Sequence, residues 1–234
     1  MQPLQSGPVR RAMTPSTTAL IGGSLIALAL GFNLPYLRLA QVFDYPGILR
    51  EPADRILAAF AAGGPGLVLT WYAFALSAFL FVPVSMAHAL GSGRVLRAPG
   101  LAVAAAVTGA LAGLVQAMGL LRWVMVVPEL ARTGDLGGFT LIHAYAGVAL
   151  GEHLGQLLTA MTVGLVALMQ WQERRRLTAA LGGATVLAIT LGALEGVALA
   201  IGAEGTAFGF AAVLGYLLLT LWMVGSGLGL IRRG

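Results

Sequence analysis

Residues Phe139 to Trp171 read FTLIHAYAGVALGEHLGQLLTAMTVGLVALMQW, an apolar run in which Glu152 is the only acidic side chain and no arginine occurs. As a single α-helix the run would extend about 50 Å, because each residue adds about 1.5 Å. The hydrocarbon core of a bilayer is only about 30 Å thick. The run therefore predicts a membrane-spanning helix that tilts, projects beyond the bilayer or breaks at its glycines.

The rest of the chain has the same apolar character. Hydrophobic residues make up 58% of the sequence, charged residues only 10%, and the mean hydropathy is +0.88. Soluble domains are roughly 45–50% apolar and about 25% charged. We predict an all-α polytopic membrane protein with six transmembrane helices. The predicted organisation is an N-terminal tail (1–16) and one membrane domain (17–231) with spans at about 17–34, 67–90, 100–127, 139–171, 177–201 and 206–230.

The first span and the loop after it contain residues that typically start or end a helix. Pro35 predicts the end of the first helix, because proline cannot donate an intrahelical hydrogen bond. Further on, Glu51-Pro52-Ala53 is typical of a helix start, and Gly63-Gly64 of a helix end. We expect a short amphipathic helix there, in the first outer loop and along the membrane surface. A plain connector is the alternative.

The arginines indicate which side of the membrane each end faces. The chain has no lysine, and six spans place both termini on one side. Nine arginines fall on that side and five on the other, so the positive-inside rule predicts cytoplasmic N and C termini. The nine are Arg10, Arg11, Arg94, Arg97, Arg174, Arg175, Arg176, Arg232 and Arg233; the five are Arg38, Arg50, Arg55, Arg122 and Arg132.

Several function classes have no signal in the sequence. There is no cysteine, which excludes disulfides, thiolate metal sites and thiol catalysis. No phosphate-binding glycine loop or nucleophile elbow occurs, so nothing indicates an enzyme. The arginine clusters lie at span ends, where they act as topology signals, and we predict no nucleic-acid partner. The predicted partner is the lipid bilayer.

A polar cluster interrupts the long apolar run at Glu152, His153 and Gln156. Because an ionisable group at bilayer depth costs roughly 2.5–3.5 kcal/mol, such a cluster is by default a candidate functional site. On an α-helix Glu152 and Gln156 share one face, and His153 lies about a quarter-turn away. A stripe of small residues beside this face predicts close approach of another helix. The stripe consists of Gly147, Gly151 and Gly155.

Residue counting places further polar side chains at the height of this cluster. Measured from the arginine-rich span ends, four residues lie at heights of about 24–33 Å, namely Asn33, Arg122, Glu152 and Glu195. We therefore expect one outward-opening polar pocket, with Arg122 as counter-ion of Glu152 or Glu195 and the first loop as its lid. The alternative is a set of unrelated interfacial residues at helix ends. The predicted pocket residues are Asn33, Arg122, Glu152, His153, Gln156 and Glu195.

The histidines do not predict a metal site. His143 and His153 are ten residues apart and fall on roughly opposite sides of one helix, so they cannot bind the same ion. His88 belongs to the opposite end of the bundle. His153 is a weak candidate ligand on its own. The cofactor is left unknown, with a single haem ligand at His153 still open.

Two motifs carry a family resemblance. The loop Phe43-Asp-Tyr-Pro-Gly-Ile-Leu-Arg50 with Glu51-Pro-Ala53, and the helix motif Gly151-Glu-His-Leu-Gly155, resemble a bacterial family of six-helix membrane proteins classed as a domain of unknown function. The resemblance covers nearly the whole chain. It implies the fold and a bacterial inner-membrane location, and it brings no activity, cofactor or catalytic residue.

Three functions are compatible with these patterns. The leading hypothesis is an inner-membrane protein whose outward-facing polar site binds or moves a small solute, ion or proton. The alternative is an accessory or structural subunit that docks onto a partner, or onto a second copy, through its small-residue stripe. A haem-binding or redox membrane protein is third.

Overall fold

The structure, a computed structural model, describes residues 15–233, so the predicted tail lies almost entirely outside the described residues. Among residues 15–233 there is no strand, and six helical stretches are long and apolar enough to cross a membrane. The predicted all-α class with six such helices is confirmed. The elements are α1 (Pro15–Phe43), a 3₁₀ turn (Gly47–Arg50), α2 (Ala53–Leu90), α3 (Arg94–Arg97), α4 (Pro99–Met125), α5 (Val127–Thr133), α6 (Leu136–Ile142), a π-helical segment (His143–Leu154), α7 (Gly155–Gln172), α8 (Arg176–Ala200) and α9 (Thr206–Ile231).

The long helices are arranged as a ring. Going round it, α1 packs against α2, α2 against α4, α4 against the π-helical segment and α7, α7 against α8, α8 against α9, and α9 against α1. We call the end that carries residues 44–52 and 201–205 the first-loop end, and the end that carries residues 91–98 and 173–175 the termini end. Which end faces the cytoplasm remains the prediction from the arginines.

The expectation that Pro35 ends the first helix is wrong. Helix α1 continues through Pro35 to Phe43. Proline cannot donate to the carbonyl four residues earlier, which here belongs to Gly31. The Ser77 hydroxyl of α2 donates to that carbonyl at 2.7 Å, so the acceptor freed by the proline is satisfied by a neighbouring helix.

The predicted loop helix is part of a longer element. Helical structure runs from Ala53 to Leu90 and is interrupted only at Gly64, whose φ of 58° and ψ of −161° are not helical. Pro65 follows, and the residue before a proline is driven out of the α region. The segment before Gly64 buries Ile56 and Phe60 inside the protein. Its position along the membrane surface remains a prediction.

An aromatic cluster of Phe43, Phe60, Trp71 and Trp123 fixes the first loop to the bundle. The two indoles stack with ring centroids 4.8 Å apart. Phe43 meets Trp123 edge-on at 5.5 Å, and Phe60 lies 5.7 Å from the same indole. Such pairs contribute about 0.5–1.5 kcal/mol each beyond the burial of their area. The end of α1 and the start of α2 are thereby held against α4.

The fourth span changes helix type where the polar cluster lies. The segment His143–Leu154 is π-helical over 12 residues, and the Gly155 N–H donates to the carbonyl of Leu150, five residues earlier. The run therefore widens rather than breaks at its glycines. π-Helical turns are rare and frequently occur at functional sites. Helix faces assigned from a repeat of 3.6 residues per turn are therefore not valid in this segment.

Candidate functional site

The ring of helices encloses a cavity of about 870 Å³ at the level of the first-loop end. All six spanning stretches contribute to its wall, together with the 3₁₀ turn. Its volume lies in the range of about 300–1,000 Å³ that is usual for pockets holding drug-sized ligands. Five of the six predicted pocket residues line it, namely Asn33, Arg122, Glu152, Gln156 and Glu195.

Arg50 joins two carboxylates across the mouth of the cavity. Its Nη2 lies 2.6 Å from Glu152 Oε2, and its Nε lies 2.9 Å from Glu195 Oε1. The three side chains are 30%, 24% and 15% exposed. Burial alone would lower the pKa of Arg50, but the bonds to Glu195 and Glu152 hold this pKa above its usual value. The predicted counter-ion, Arg122, is therefore wrong, and Arg50 has that role.

Local structure brings Arg50 to this place. It ends the 3₁₀ turn, in which Ile48 and Leu49 are buried against the aromatic cluster. The Leu49 carbonyl is 3.1 Å from His143 Nε2 of the π-helical segment. Burial raises the pKa of the Tyr45 hydroxyl in the same loop, and the Glu152 carboxylate raises it further. Tyr45 also lines the cavity and stays protonated at neutral pH.

Replacing Arg50 by glutamine is expected to lower the stability of the protein by about 1–2 kcal/mol. The value is below the roughly 3–5 kcal/mol of a fully buried pair, since these side chains are partly exposed. It corresponds to a fall of about 2–8 °C in Tm, measured in detergent. The loss arises because Glu152 and Glu195 would face each other without a cation.

Arg55→Gln is the matched control for this variant. The Arg55 side chain is 62% exposed and pairs with Glu51, four residues earlier, at 3.0 Å. Adding Glu195→Gln to Arg50→Gln should restore part of the lost Tm, because it removes the excess negative charge. Equal Tm values for Arg50→Gln and Arg55→Gln would contradict a bridging role of Arg50.

Arg122 is a buried cation in the wall of the cavity. It is 6% exposed, its Nη1 donates to the Gly119 carbonyl, and its guanidinium lies 5.0 Å from the Trp123 ring centroid. Its Nε has no hydrogen-bond partner. Among residues 17–233, no carboxylate comes within 4.0 Å of it. A buried charge with no carboxylate in direct contact is costly, so this arginine requires an explanation.

The small-residue stripe of the fourth span lies against α4. A Cβ on Gly147 would come within 2.7 Å of Arg122 Nη2, and one on Gly155 within 2.7 Å of Gln116 Cγ. Between them, Gly151 faces Gly119, where a Cβ on Gly119 would be 2.8 Å from the Gly151 Cα. The stripe is therefore occupied by a helix of this chain.

The remaining predicted polar residues have separate environments. Asn33 Nδ2 donates to Thr220 Oγ1 at 2.9 Å and to the Ala29 carbonyl at 2.7 Å. His153 does not line the cavity; its Nδ1 lies 2.7 Å from the Ala193 carbonyl of α8. In residues 15–233, no three His, Asp or Glu side chains are grouped so that they could hold a metal ion.

Unpartnered polar atoms concentrate around the cavity. Among the described side chains, seven buried nitrogen or oxygen atoms have no hydrogen-bond partner, and five of them belong to cavity-lining residues. Each such atom costs about 1–3 kcal/mol when nothing satisfies it. Three of the five are donors and two are acceptors. They are Trp71 Nε1, Arg122 Nε and Trp123 Nε1, and Glu152 Oε1 and Gln156 Oε1.

Sequence reasoning missed four residues of this site: Arg50, Tyr45, Trp71 and Trp123. A signal for the first two was present, because both belong to the loop motif that carries the family resemblance. The two tryptophans gave no comparable signal, since an aromatic residue in an apolar helix is ordinary.

A protein family described as "Domain of unknown function (DUF4386)" matches residues 20–227, which include the whole site. The chain belongs to this family. DUF4386 membership confirms the resemblance drawn from the two motifs, and with the six apolar helices it identifies a multi-pass membrane protein. Neither a curated protein nor a solved structure matches the chain. The DUF4386 description carries no activity, so function rests on the cavity itself.

Proposed function

We propose that this protein binds a small organic acid in the cavity between its six helices. The ligand is reached from the first-loop end, which the arginine distribution predicts to be the outer face. The observation that supports the proposal is Arg122, a cavity-lining cation with no carboxylate within 4.0 Å among residues 17–233. A ligand carboxylate would place a negative charge beside this guanidinium, which water alone would not do.

The ion-pair pattern of the wall favours an acid at Arg122. Arg50 bonds to both Glu152 and Glu195. Among residues 17–233 no carboxylate lies within 4.0 Å of Arg122, whose Nε has no hydrogen-bond partner. A ligand carboxylate offers acceptor atoms and a negative charge to this guanidinium.

The rest of the wall favours an organic rather than an inorganic anion. Aromatic side chains such as Phe32, Phe74 and Phe81 line the cavity beside the polar groups. They also pack against one another, with the Phe32 ring 6.2 Å from Phe74 and 6.4 Å from Phe81. An apolar wall with few converging polar groups is the usual design of a small-molecule site.

The test is the thermal stability of the purified protein with matched ligand pairs. Propionate, benzoate and phenylacetate are each compared with the corresponding primary amide, which has nearly the same shape but no charge. An acid present at 100 times its Kd should stabilise the protein by about 2.7 kcal/mol. This corresponds to a Tm increase of about 5–10 °C.

The acid should raise Tm and its amide should not. A salt control with chloride at the same ionic strength removes general screening effects. The proposal is wrong if acid and amide shift Tm equally, or if none of the three acids shifts it beyond the chloride control.

A further inference from the structure

We propose that the cavity also opens sideways into the bilayer, between α1 and α9, and takes a single-chain carboxylate amphiphile of the fatty-acid class from the leaflet at the first-loop end. This rests on the proposed function, because the same Arg122 region would bind the carboxylate. It adds the ligand's apolar chain and its route of entry.

Two side chains of α9 belong both to the cavity wall and to the surface that meets lipid. Phe210 is 73% exposed and Leu217 is 53% exposed, and both line the cavity. Leu214 and Leu221 lie on the same exposed stripe, at 53% and 58%, without lining it. A wall residue that is half exposed on the outside of the ring indicates that the wall is incomplete there.

The opening is not on the α8 side of α9. A Cβ on Gly192 of α8 would come within 2.6 Å of the Ala212 Cα, and a Cβ on Gly215 within 2.6 Å of Ile189 Cγ1. Near the first-loop end, a Cβ on Gly209 would be 3.2 Å from Glu195 Oε1. Contacts this close along the first-loop half of the α8–α9 seam leave no passage.

The seam between α1 and α9 is tightly packed toward the termini end. There a Cβ on Gly22 would be 2.6 Å from the Gly227 carbonyl oxygen. Nearer the first-loop end, the bond from Asn33 Nδ2 to Thr220 Oγ1 joins the two helices. On the first-loop side of that bond, Tyr36 of α1 and Leu217 of α9 both line the cavity. We place the proposed opening between these two helices, on the first-loop side of this bond.

The chemistry of the cavity matches an amphiphile that enters by this route. The cation Arg122 lies on α4 over Trp123, and aromatic residues of α1 and α9, such as Phe32 and Phe210, also line the cavity. A carboxylate at Arg122 would leave its chain along the aromatic wall and out through the α1–α9 seam. Little desolvation opposes such a path, because the chain passes from lipid to an apolar wall.

The experiment measures quenching of tryptophan fluorescence by bromine-labelled acids in nanodiscs. The protein carries Trp171→Phe, which removes the exposed tryptophan at 52% and leaves Trp71 and Trp123 at the cavity. Trp222 remains as a constant background, since it is 2% exposed and does not line the cavity. The probes are a long-chain carboxylate brominated in mid-chain, its methyl ester and water-soluble 4-bromobenzoate.

The long-chain acid should quench saturably, and its methyl ester should bind about 10- to 100-fold more weakly because it lacks the charge. The route is tested with Leu217→Cys, possible because the chain has no cysteine, after reaction with a bulky maleimide. Blocked Leu217→Cys should be quenched about tenfold more slowly or not at all, by steric exclusion from the seam. Blocked Leu214→Cys is the control and should behave as the unmodified protein.

Each outcome separates this inference from the proposed function. Quenching by 4-bromobenzoate but not by the long-chain acid would overturn the lateral route and leave organic-acid binding intact. Equal quenching by acid and methyl ester would overturn both, as would no quenching by any probe. Equal rates in the two blocked cysteine variants would overturn the α1–α9 seam as the entry.

Discussion

Replacing Glu173 by glutamine is expected to destabilise the protein by about 3–5 kcal/mol, the usual result of removing one partner of a buried ion pair. Arg94 is 1% exposed, and its Nε and Nη2 lie 2.7 and 3.1 Å from the two Glu173 oxygens. Its Nη1 donates to the His88 carbonyl at 2.7 Å. Without the carboxylate, the guanidinium would remain buried with an uncompensated charge. The variant should therefore lose about 6–20 °C in Tm.

The same pair predicts a pH dependence of stability. Burial would raise the pKa of Glu173, but the hydrogen bonds and charge of Arg94 outweigh it and hold this pKa below its usual value. A carboxyl whose pKa is lowered by folding contributes its full stability above the usual glutamate pKa of about 4.3. That contribution is lost as the pH falls through the lowered value. The Tm difference between wild type and Glu173→Gln should thus be largest near neutral pH and shrink in acid.

Glu129→Gln is the matched control. Glu129 pairs with Arg132 within one helical turn, and the two side chains are 62% and 71% exposed. Exposed pairs of this kind contribute about 0–1 kcal/mol. A Tm loss for Glu173→Gln no larger than that for Glu129→Gln would contradict the role assigned to the termini-end pair. A difference that stays constant from neutral to acid pH would contradict its electrostatic origin.

The number of spanning helices was predictable because it depends on one-dimensional properties. Length and hydropathy of each apolar run decide whether it can cross a bilayer, and neither requires knowledge of neighbours. The end of α1 was not predictable in this way. Pro35 is tolerated inside the helix because Ser77, which lies on another helix, donates to the Gly31 carbonyl. A helix boundary that depends on a tertiary hydrogen bond is invisible to local signals.

The site was partly predictable for a similar reason. Height along a helix follows from residue counting, so Asn33, Glu152 and Glu195 were expected at one level, and all three line one cavity. Direction around the helix does not follow in the same way when the helix type changes. His153 lies in the π-helical segment, and its ring contacts the Ala193 carbonyl of α8. A helical wheel with 3.6 residues per turn could not predict the direction of the His153 side chain.

Charge pairing was the least predictable feature. Arg50 is separated from Glu152 by 102 residues and from Glu195 by 145. Arg122 was the natural choice from sequence because it is a lone arginine inside an apolar span. In the structure the first loop supplies the cation Arg50 instead, because the buried side chains of Ile48 and Leu49 fix the 3₁₀ turn. Arg122 is thereby left without a carboxylate within 4.0 Å among residues 17–233, and this is what points to an acidic ligand.

Replacing Arg122 by glutamine is expected to abolish acid binding without destabilising the ligand-free protein. A fully desolvated charge pair loses about 2–5 kcal/mol when one partner is truncated, so the acid should bind at least about 30-fold more weakly. In the ligand-free protein the change removes a buried charge that has no carboxylate within 4.0 Å among residues 17–233. Tm should therefore stay constant or rise, offset by the lost hydrogen bond to the Gly119 carbonyl and the lost contact with Trp123.

The measurement compares Tm with and without acid for wild type, Arg122→Gln and Arg122→Lys. The lysine variant keeps a positive charge without the planar guanidinium, so it should retain part of the acid-dependent shift. A large Tm loss for ligand-free Arg122→Gln, of the size expected for Glu173→Gln, would mean that Arg122 is paired inside the protein and that the cavity offers no free cation. A full acid-dependent shift in Arg122→Gln would place acid binding elsewhere. Removing the partner of the buried Arg94 is expected to lower Tm, whereas replacing the buried Arg122 is expected to leave Tm unchanged or raise it. This difference makes the comparison the sharpest test of the cavity as a binding site.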